Sequence, residues 1–118
     1  MQLITLNGQK IIMPAITFIE SDSTQHQVEI DVGRTLMEGA TMAGIDGIVA
    51  ECGGSCACAT CHCYIDSEWV EAVGQVDAIE EAMLEAAVDP RPNSRLSCQV
   101  KVTESMAGLI VHVPESQF

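Results

Sequence analysis

Apolar and polar positions alternate in two short runs near the N-terminus, AITFIE at 15–20 and HQVEID at 26–31, which put Ile16, Phe18, Val28 and Ile30 on inward-facing positions. Both runs are rich in β-branched residues, and the polar segment SDSTQ separates them, so the pattern predicts a β-hairpin. The period then changes. In TLMEGATMAG, 35–44, Leu36, Ala40 and Ala43 form one helical stripe, Thr35 and Glu38 have capping-box spacing, and Gly44 is placed to close the C-terminus. A loop lined with Gly and Ala follows and runs out into a predicted strand at CHCYI, 61–65. SEWVEAVG reads as a helical turn packed through Trp69 and Val73, and DAIEEAMLEAAV, 77–88, as an acidic amphipathic helix. DPRPNSR is a turn by its prolines and asparagine, and LSCQVKV and LIVHV are the last two predicted strands.

Two strands, a helix, a loop, short helices and two more strands describe a small α+β domain, not the regular βαβ alternation of a parallel sheet. There is no internal repeat, linker or low-complexity tract. Met13-Pro14 opens the phrase MPAITFIE, where the domain pattern begins. Residues 13–118 are therefore expected to be the domain, and residues 1–12 an N-terminal extension that a start at Met13 would omit.

Composition narrows the function classes. At 118 residues the chain is about one domain long and buries roughly two-thirds of its unfolded surface, so it folds without disulfide staples. The N-terminus lacks the features of a secretory signal or transit peptide, and no apolar run approaches the length of a membrane span, so an intracellular protein is expected. Seventeen acidic residues stand against five basic ones, for a formal net charge of −12. That balance repels phosphate backbones and anionic lipid and favours basic protein surfaces. A hydrophobic content of 47% marks a globular chain and not an acidic disordered tail.

The chemistry lies in the cysteines. Five of the six stand between Cys52 and Cys63 in ECGGSCACATCHCYID, and the sixth, Cys98, stands in SRLSCQV. The spacing Cys52-x5-Cys58-x2-Cys61-x36-Cys98 gives three thiolates in one loop and a fourth from a distant strand, as a compact two-iron cluster needs. Gly53 and Gly54 supply backbone freedom there, and Ser55, Ala57, Ala59 and Thr60 are small enough to let amide N–H groups point at sulfur. By spacing alone Cys56 could take the place of Cys52 or Cys58. Cys63 alternates along the strand beyond His62 and reads as a small buried hydrophobe.

Rival chemistries fit less well. CATCH, 58–62, matches the C-x-x-C-H haem motif, but haem attachment would leave four cysteines without a purpose and belongs to exported proteins. A thioredoxin-like pair should open a helix, whereas CHCYI reads as strand. A Rieske centre needs two histidine ligands, and only His62 is near. Four thiolates suit zinc equally well, so a structural zinc module is the alternative from a different class, although such sites usually come as two short knuckles and Cys98 lacks a close mate.

CGGSCACATCH, SRLSCQV, the LIVHVP ending and the C-x5-C-x2-C…C spacing, distinct from the plant-type C-x4-C-x2-C, resemble the adrenodoxin and putidaredoxin family of 2Fe-2S ferredoxins over nearly all of Met13–Phe118. The likeness is strongest to bacterial members that open with MPxITF and carry an extra cysteine where Cys56 stands. The resemblance implies a β-grasp fold and one 2Fe-2S cluster, with Cys52 and Cys58 on one iron and Cys61 and Cys98 on the other. It implies a cytoplasmic monomer that makes transient complexes and carries single electrons from an FAD-containing, NAD(P)H-dependent ferredoxin reductase to a cytochrome P-450 monooxygenase. A sister group serves iron–sulfur cluster assembly instead.

Partner residues carry over in part. Family members dock through an acidic helix, whose counterpart here has Asp77, Glu81 and Glu85 at i, i+4 and i+8 with Glu80 beside them. Like charges at that spacing cost helix stability, which hints at a use. The family's acids at positions matching Ala78 and Ala82 are missing. Glu51 matches a family Asp that contacts the monooxygenase, and Phe118 stands where a family Trp binds partners. His62 follows the third ligand, and in the family it braces the cluster loop through a tyrosine. Val88 occupies that tyrosine's position, so another brace is expected, such as a backbone carbonyl. His26 and His112 read as structural.

Overall fold

The structure is a computed structural model that describes residues 2–6, 9–45 and 61–115, with side chains from Met13 onward. Strands β3 (Ala15–Ile19) and β4 (Gln25–Glu29) pair antiparallel, with Ile16 opposite Val28 and Phe18 opposite His26. Ile16, Phe18 and Ile30 are buried and Val28 packs against them, so the alternation places the hairpin's inner face as expected.

Helix α1 (Leu36–Met42) starts with both halves of the capping box. Thr35 Oγ1 accepts from the Glu38 N–H at 3.1 Å, and Glu38 Oε1 accepts from the Thr35 N–H at 3.2 Å. At the other end Gly44, at φ +75°, donates its N–H to Thr41 O at 3.1 Å, and Ile45 donates to Ala40 O at 3.0 Å. These two bonds make a Schellman motif. The motif returns Ile45 to the core and leaves Ala43 exposed. The buried stripe is therefore Leu36, Met37, Gly39 and Ala40, without Ala43.

The five-stranded sheet has the order β4-β3-β7-β5-β6, with β5 (His62–Ile65), β6 (Ser94–Leu96) and β7 (Ile110–His112). Only β3 and β7 run parallel. α1 packs on the sheet through Leu36 and Ala40, which join Ile16, Phe18, Leu109 and Val111 in the core. This mixed sheet wrapped on a helix is an α+β, β-grasp architecture.

Three elements differ from the sequence expectation. LSCQVKV is not one strand, because β6 ends at Leu96 and Ser97–Gln99 form a 3₁₀ turn. Ser97 still faces Cys61 in the β5–β6 register, its N–H and Oγ both donating to the Cys61 carbonyl at 2.9 and 2.7 Å, and the Val100 N–H then folds back to Ser97 O at 3.4 Å to close the turn. Beyond the turn, Val100 and Val102 exchange main-chain bonds with Gly33, Arg34 and Leu36. The acidic helix α3 (Ala78–Leu84), capped by Asp77, stops four residues before Val88. Finally, β1 (Gln2–Leu6) and β2 (Gln9–Met13) form an antiparallel hairpin as a separate two-stranded sheet, which the reading of 1–12 as an extension did not foresee. Asn7-Gly8 between two apolar runs is the signal that would have found it. Ahead of α3, Asp66 caps the 3₁₀ turn Ser67–Trp69, which leads into the short helix α2 (Val70–Val73). Among the described residues no helix is long and apolar enough to cross a membrane.

Candidate functional site

Cys61 immediately precedes β5, and Cys98 is the middle residue of the 3₁₀ turn that follows β6. Pairing of these strands sets His62 opposite Leu96, and the Ser97 clamp on the Cys61 carbonyl closes the remaining gap. The two sulfurs lie 3.2 Å apart, with the residues 0% and 6% exposed. The fourth candidate thiol is thus delivered by a turn, not by a strand. Gln99, exposed on the same turn, donates its side-chain N–H to Cys98 Sγ at 3.5 Å.

The pair suits a shared metal. Around a tetrahedral ion with bonds of about 2.3 Å, two thiolates stand about 3.8 Å apart, so a movement of well under an ångström seats both sulfurs. Cys63, two residues on from Cys61, is fully buried in the same core, and that burial pushes its thiol up to about 12. It packs as a small apolar side chain, as read from its place on the strand. Cys52, Cys56 and Cys58, with Glu51, Gly53, Gly54, Ser55, Ala57, Ala59, Thr60 and Phe118, lie outside the described residues.

His62 is fully buried beside this pair. Its Nε2 shares a 2.7 Å hydrogen bond with Ser94 Oγ, which also accepts from the Arg91 N–H at 2.7 Å. Burial holds the imidazole below its usual range, against the opposing pull of Asp89. The brace at His62 is thus a hydroxyl, that of Ser94, which sequence reasoning missed. Tyr64 meets the His62 ring edge-on at 4.7 Å, donates its O–H to Asp89 O at 2.6 Å, and lies under the Arg91 guanidinium at 4.4 Å. The turn between α3 and β6 is thereby pinned to β5.

The acidic helix divides its carboxylates. Asp77, Glu81 and Glu85 are exposed. Glu80, expected beside them on a docking face, is 1% exposed and holds Arg95 in a bidentate pair, Nε to Oε2 at 2.7 Å and Nη2 to Oε1 at 3.0 Å. Glu80 Oε2 also accepts the Leu96 N–H at 2.9 Å. Its place on the inner side of α3, four residues before buried Leu84, turns it toward β6 and removes it from any docking surface. The signal was available in principle, since Arg95 is among the few basic residues and lies in the phrase that carries Cys98.

The family described as the 2Fe-2S iron-sulfur cluster binding domain matches residues 19–103. Rhodocoxin of Rhodococcus erythropolis is 48% identical over 106 residues, 89% of this chain and 99% of the relative. The crystal structure of a ferredoxin from Rhodopseudomonas palustris HaA2 superposes with a TM-score of 0.86 at 45% identity, covering 89% of this chain and 100% of that one. Putidaredoxin in its covalent complex with putidaredoxin reductase gives 0.80 at 38% identity over 84% of this chain and 96% of that one.

The chain belongs to the adrenodoxin and putidaredoxin type of 2Fe-2S ferredoxin.

This ferredoxin is an electron-transfer protein that carries one 2Fe-2S cluster. Cys61 and Cys98 suit that group by chemistry and placement, since two desolvated thiols from remote segments converge where soft sulfur ligands are needed.

Proposed function

We propose that this ferredoxin is a diffusible one-electron carrier, reduced by an FAD-containing, NAD(P)H-dependent ferredoxin reductase and reoxidised by a cytochrome P-450 monooxygenase. The observation that carries the reading is the convergence of buried Cys61 and Cys98, 3.2 Å apart, on a strongly acidic protein. Cys52 and Cys58 complete the ligand set on one iron, and Cys61 and Cys98 serve the other. Gly53, Gly54, Ser55, Cys56, Ala57, Ala59 and Thr60 line the loop around the cluster.

The cluster supplies reversible one-electron exchange without bond making. The polypeptide holds the thiolates, excludes water through the packing of His62 and Ser97, and presents Asp77, Glu81 and Glu85 to basic surfaces on two partners in turn. Glu51 and Phe118 contribute to binding of the acceptor. A relative solved in complex with its reductase supports the donor assignment. The carrier works as a monomer in the bacterial cytoplasm, and residues 1–12 are dispensable for its folding and spectrum.

Reconstitution with a reductase and a monooxygenase, run beside an assay of sulfide-dependent cluster building, tests this reading. Substrate hydroxylation dependent on the ferredoxin supports it, and activity in cluster building alone refutes it. Reduction by the reductase should slow steeply with salt, since screening acts over about 8–10 Å at ordinary ionic strength, and Glu81→Gln with Glu85→Gln should slow it at low salt while leaving the visible spectrum unchanged. Cys56→Ala should keep the cluster, whereas loss of colour would move a ligand to Cys56.

A further inference from the structure

In the 3₁₀ turn Ser97–Gln99 the two residues that flank Cys98 bond in different directions. Ser97 points inward and holds the Cys61 carbonyl through both its N–H and its hydroxyl. Gln99 points outward, yet its amide folds back and donates to Cys98 Sγ at 3.5 Å, within the longer reach that the size of sulfur allows. Cys98 is 6% exposed although its neighbour Gln99 is open to solvent. A neutral, exposed side chain thus caps a buried sulfur, and nothing in the packing of the core calls for an amide there.

We propose that Gln99 is a positioning residue that raises the reduction potential of the cluster by hydrogen-bonding Cys98 Sγ. This rests on the ferredoxin reading with Cys98 as a ligand. Reduction adds one electron, and part of the added negative charge spreads onto the thiolate sulfurs. An N–H donor aimed at Cys98 Sγ stabilises the more negative state more than the less negative one, so the equilibrium for electron uptake shifts toward the reduced form. The bond is at the protein surface, where a replacement that uncovers the sulfur would let water donate in its place. An unbranched apolar side chain of similar length separates the two effects, because it keeps the sulfur covered and removes the donor.

The experiment is an anaerobic redox titration of the holoprotein, followed by visible absorbance and EPR, with iron and acid-labile sulfide measured on each sample. Gln99→Met should make reduction about tenfold less favourable, which is about 59 mV more negative for a one-electron couple. Gln99→Glu, nearly isosteric, should shift further in the same direction at neutral pH, since its carboxylate donates nothing and faces the sulfur with like charge. Gln27→Met, an exposed position on the opposite edge strand β4, should leave the potential unchanged. If Gln99→Met and Gln99→Glu load iron and sulfide at wild-type levels and keep the wild-type potential, the proposal is overturned. If Gln99→Met fails to load, the Gln99→Glu titration decides in the same way. A wild-type preparation without iron and sulfide would instead defeat the ferredoxin reading, so the two failures are distinguishable.

Discussion

Truncating Glu80 should damage the fold far more than truncating the exposed acids on the same helix. Glu80 Oε2 accepts from Arg95 Nε at 2.7 Å and from the Leu96 N–H at 2.9 Å, and Oε1 accepts from Arg95 Nη2 at 3.0 Å. Arg95 also donates Nη1 to Gly74 O at 3.0 Å. The side chains are 2% and 11% exposed. Removal of the carboxylate strands a buried guanidinium, at a cost of about 3–5 kcal/mol. The Leu96 amide loses its acceptor at the same time, so the upper part of that range is expected for Glu80→Ala. Against a domain stability of about 5–15 kcal/mol, that is a large fraction. For a chain of this size each kcal/mol lowers the thermal midpoint by about 3–5 °C, so a drop of about 10–20 °C should follow. Because a bound cofactor breaks simple two-state behaviour, midpoints of the holoprotein at one scan rate should be compared, by circular dichroism under anaerobic conditions. Glu81→Ala is the control, expected within about 0.5 kcal/mol of wild type. The double variant Glu80→Leu with Arg95→Met should be more stable than the sum of its single changes by about 2 kcal/mol, because neither charge is left alone. A Glu80→Ala midpoint within about 3 °C of wild type, or a strictly additive double variant, would refute the reasoning.

Other expectations follow from single contacts. Gly39→Ala should destabilise by about 1–3 kcal/mol despite the better helix propensity of Ala, because the new Cβ would overlap Ile30 Cδ1 and stand 2.5 Å from Ile30 Cγ1. Adding Ile30→Val removes the overlapping methyl and should recover part of the loss in urea unfolding. Any gain in stability from Gly39→Ala alone would contradict this. The His112 ring, 3.1 Å from Asp66, holds that carboxyl below its usual range. The pair therefore stabilises the fold above the ordinary carboxylate pKa, and the contribution is lost as pH falls through the depressed one. His112→Leu should raise the Asp66 pKa in an NMR titration, and an unmoved titration would count against the bond. Cys63→Ala should retain the full iron and sulfide content with a small loss of stability, and a colourless product would show that the buried thiol binds iron.

How much was legible in the chain depends on how local the cause is. The β3–β4 hairpin and the start of α1 could be read directly, because alternation at Ile16, Phe18, Val28 and Ile30 and the capping pair Thr35 and Glu38 act over a few residues. Thiol spacing likewise carried the cluster chemistry, since ligand number and softness are properties of residue type. Ala43 was misplaced because a two-turn helix that ends in a Schellman motif hands its last core position to Ile45.

The 3₁₀ turn at Cys98, the diversion of Glu80 from the acidic face to Arg95, the seating of His62 against Ser94, and the amide of Gln99 over sulfur were decided only in three dimensions. Each is a bond between groups whose proximity the sheet order creates. A carboxylate has the same chemistry whether it faces a partner or a buried guanidinium, so its role is set by what the fold places opposite it. The order of residues alone determined which groups could bind iron and where the β3–β4 hairpin and helix α1 begin. Packing determined which sulfurs meet, which charges are buried and which remain free to attract another protein.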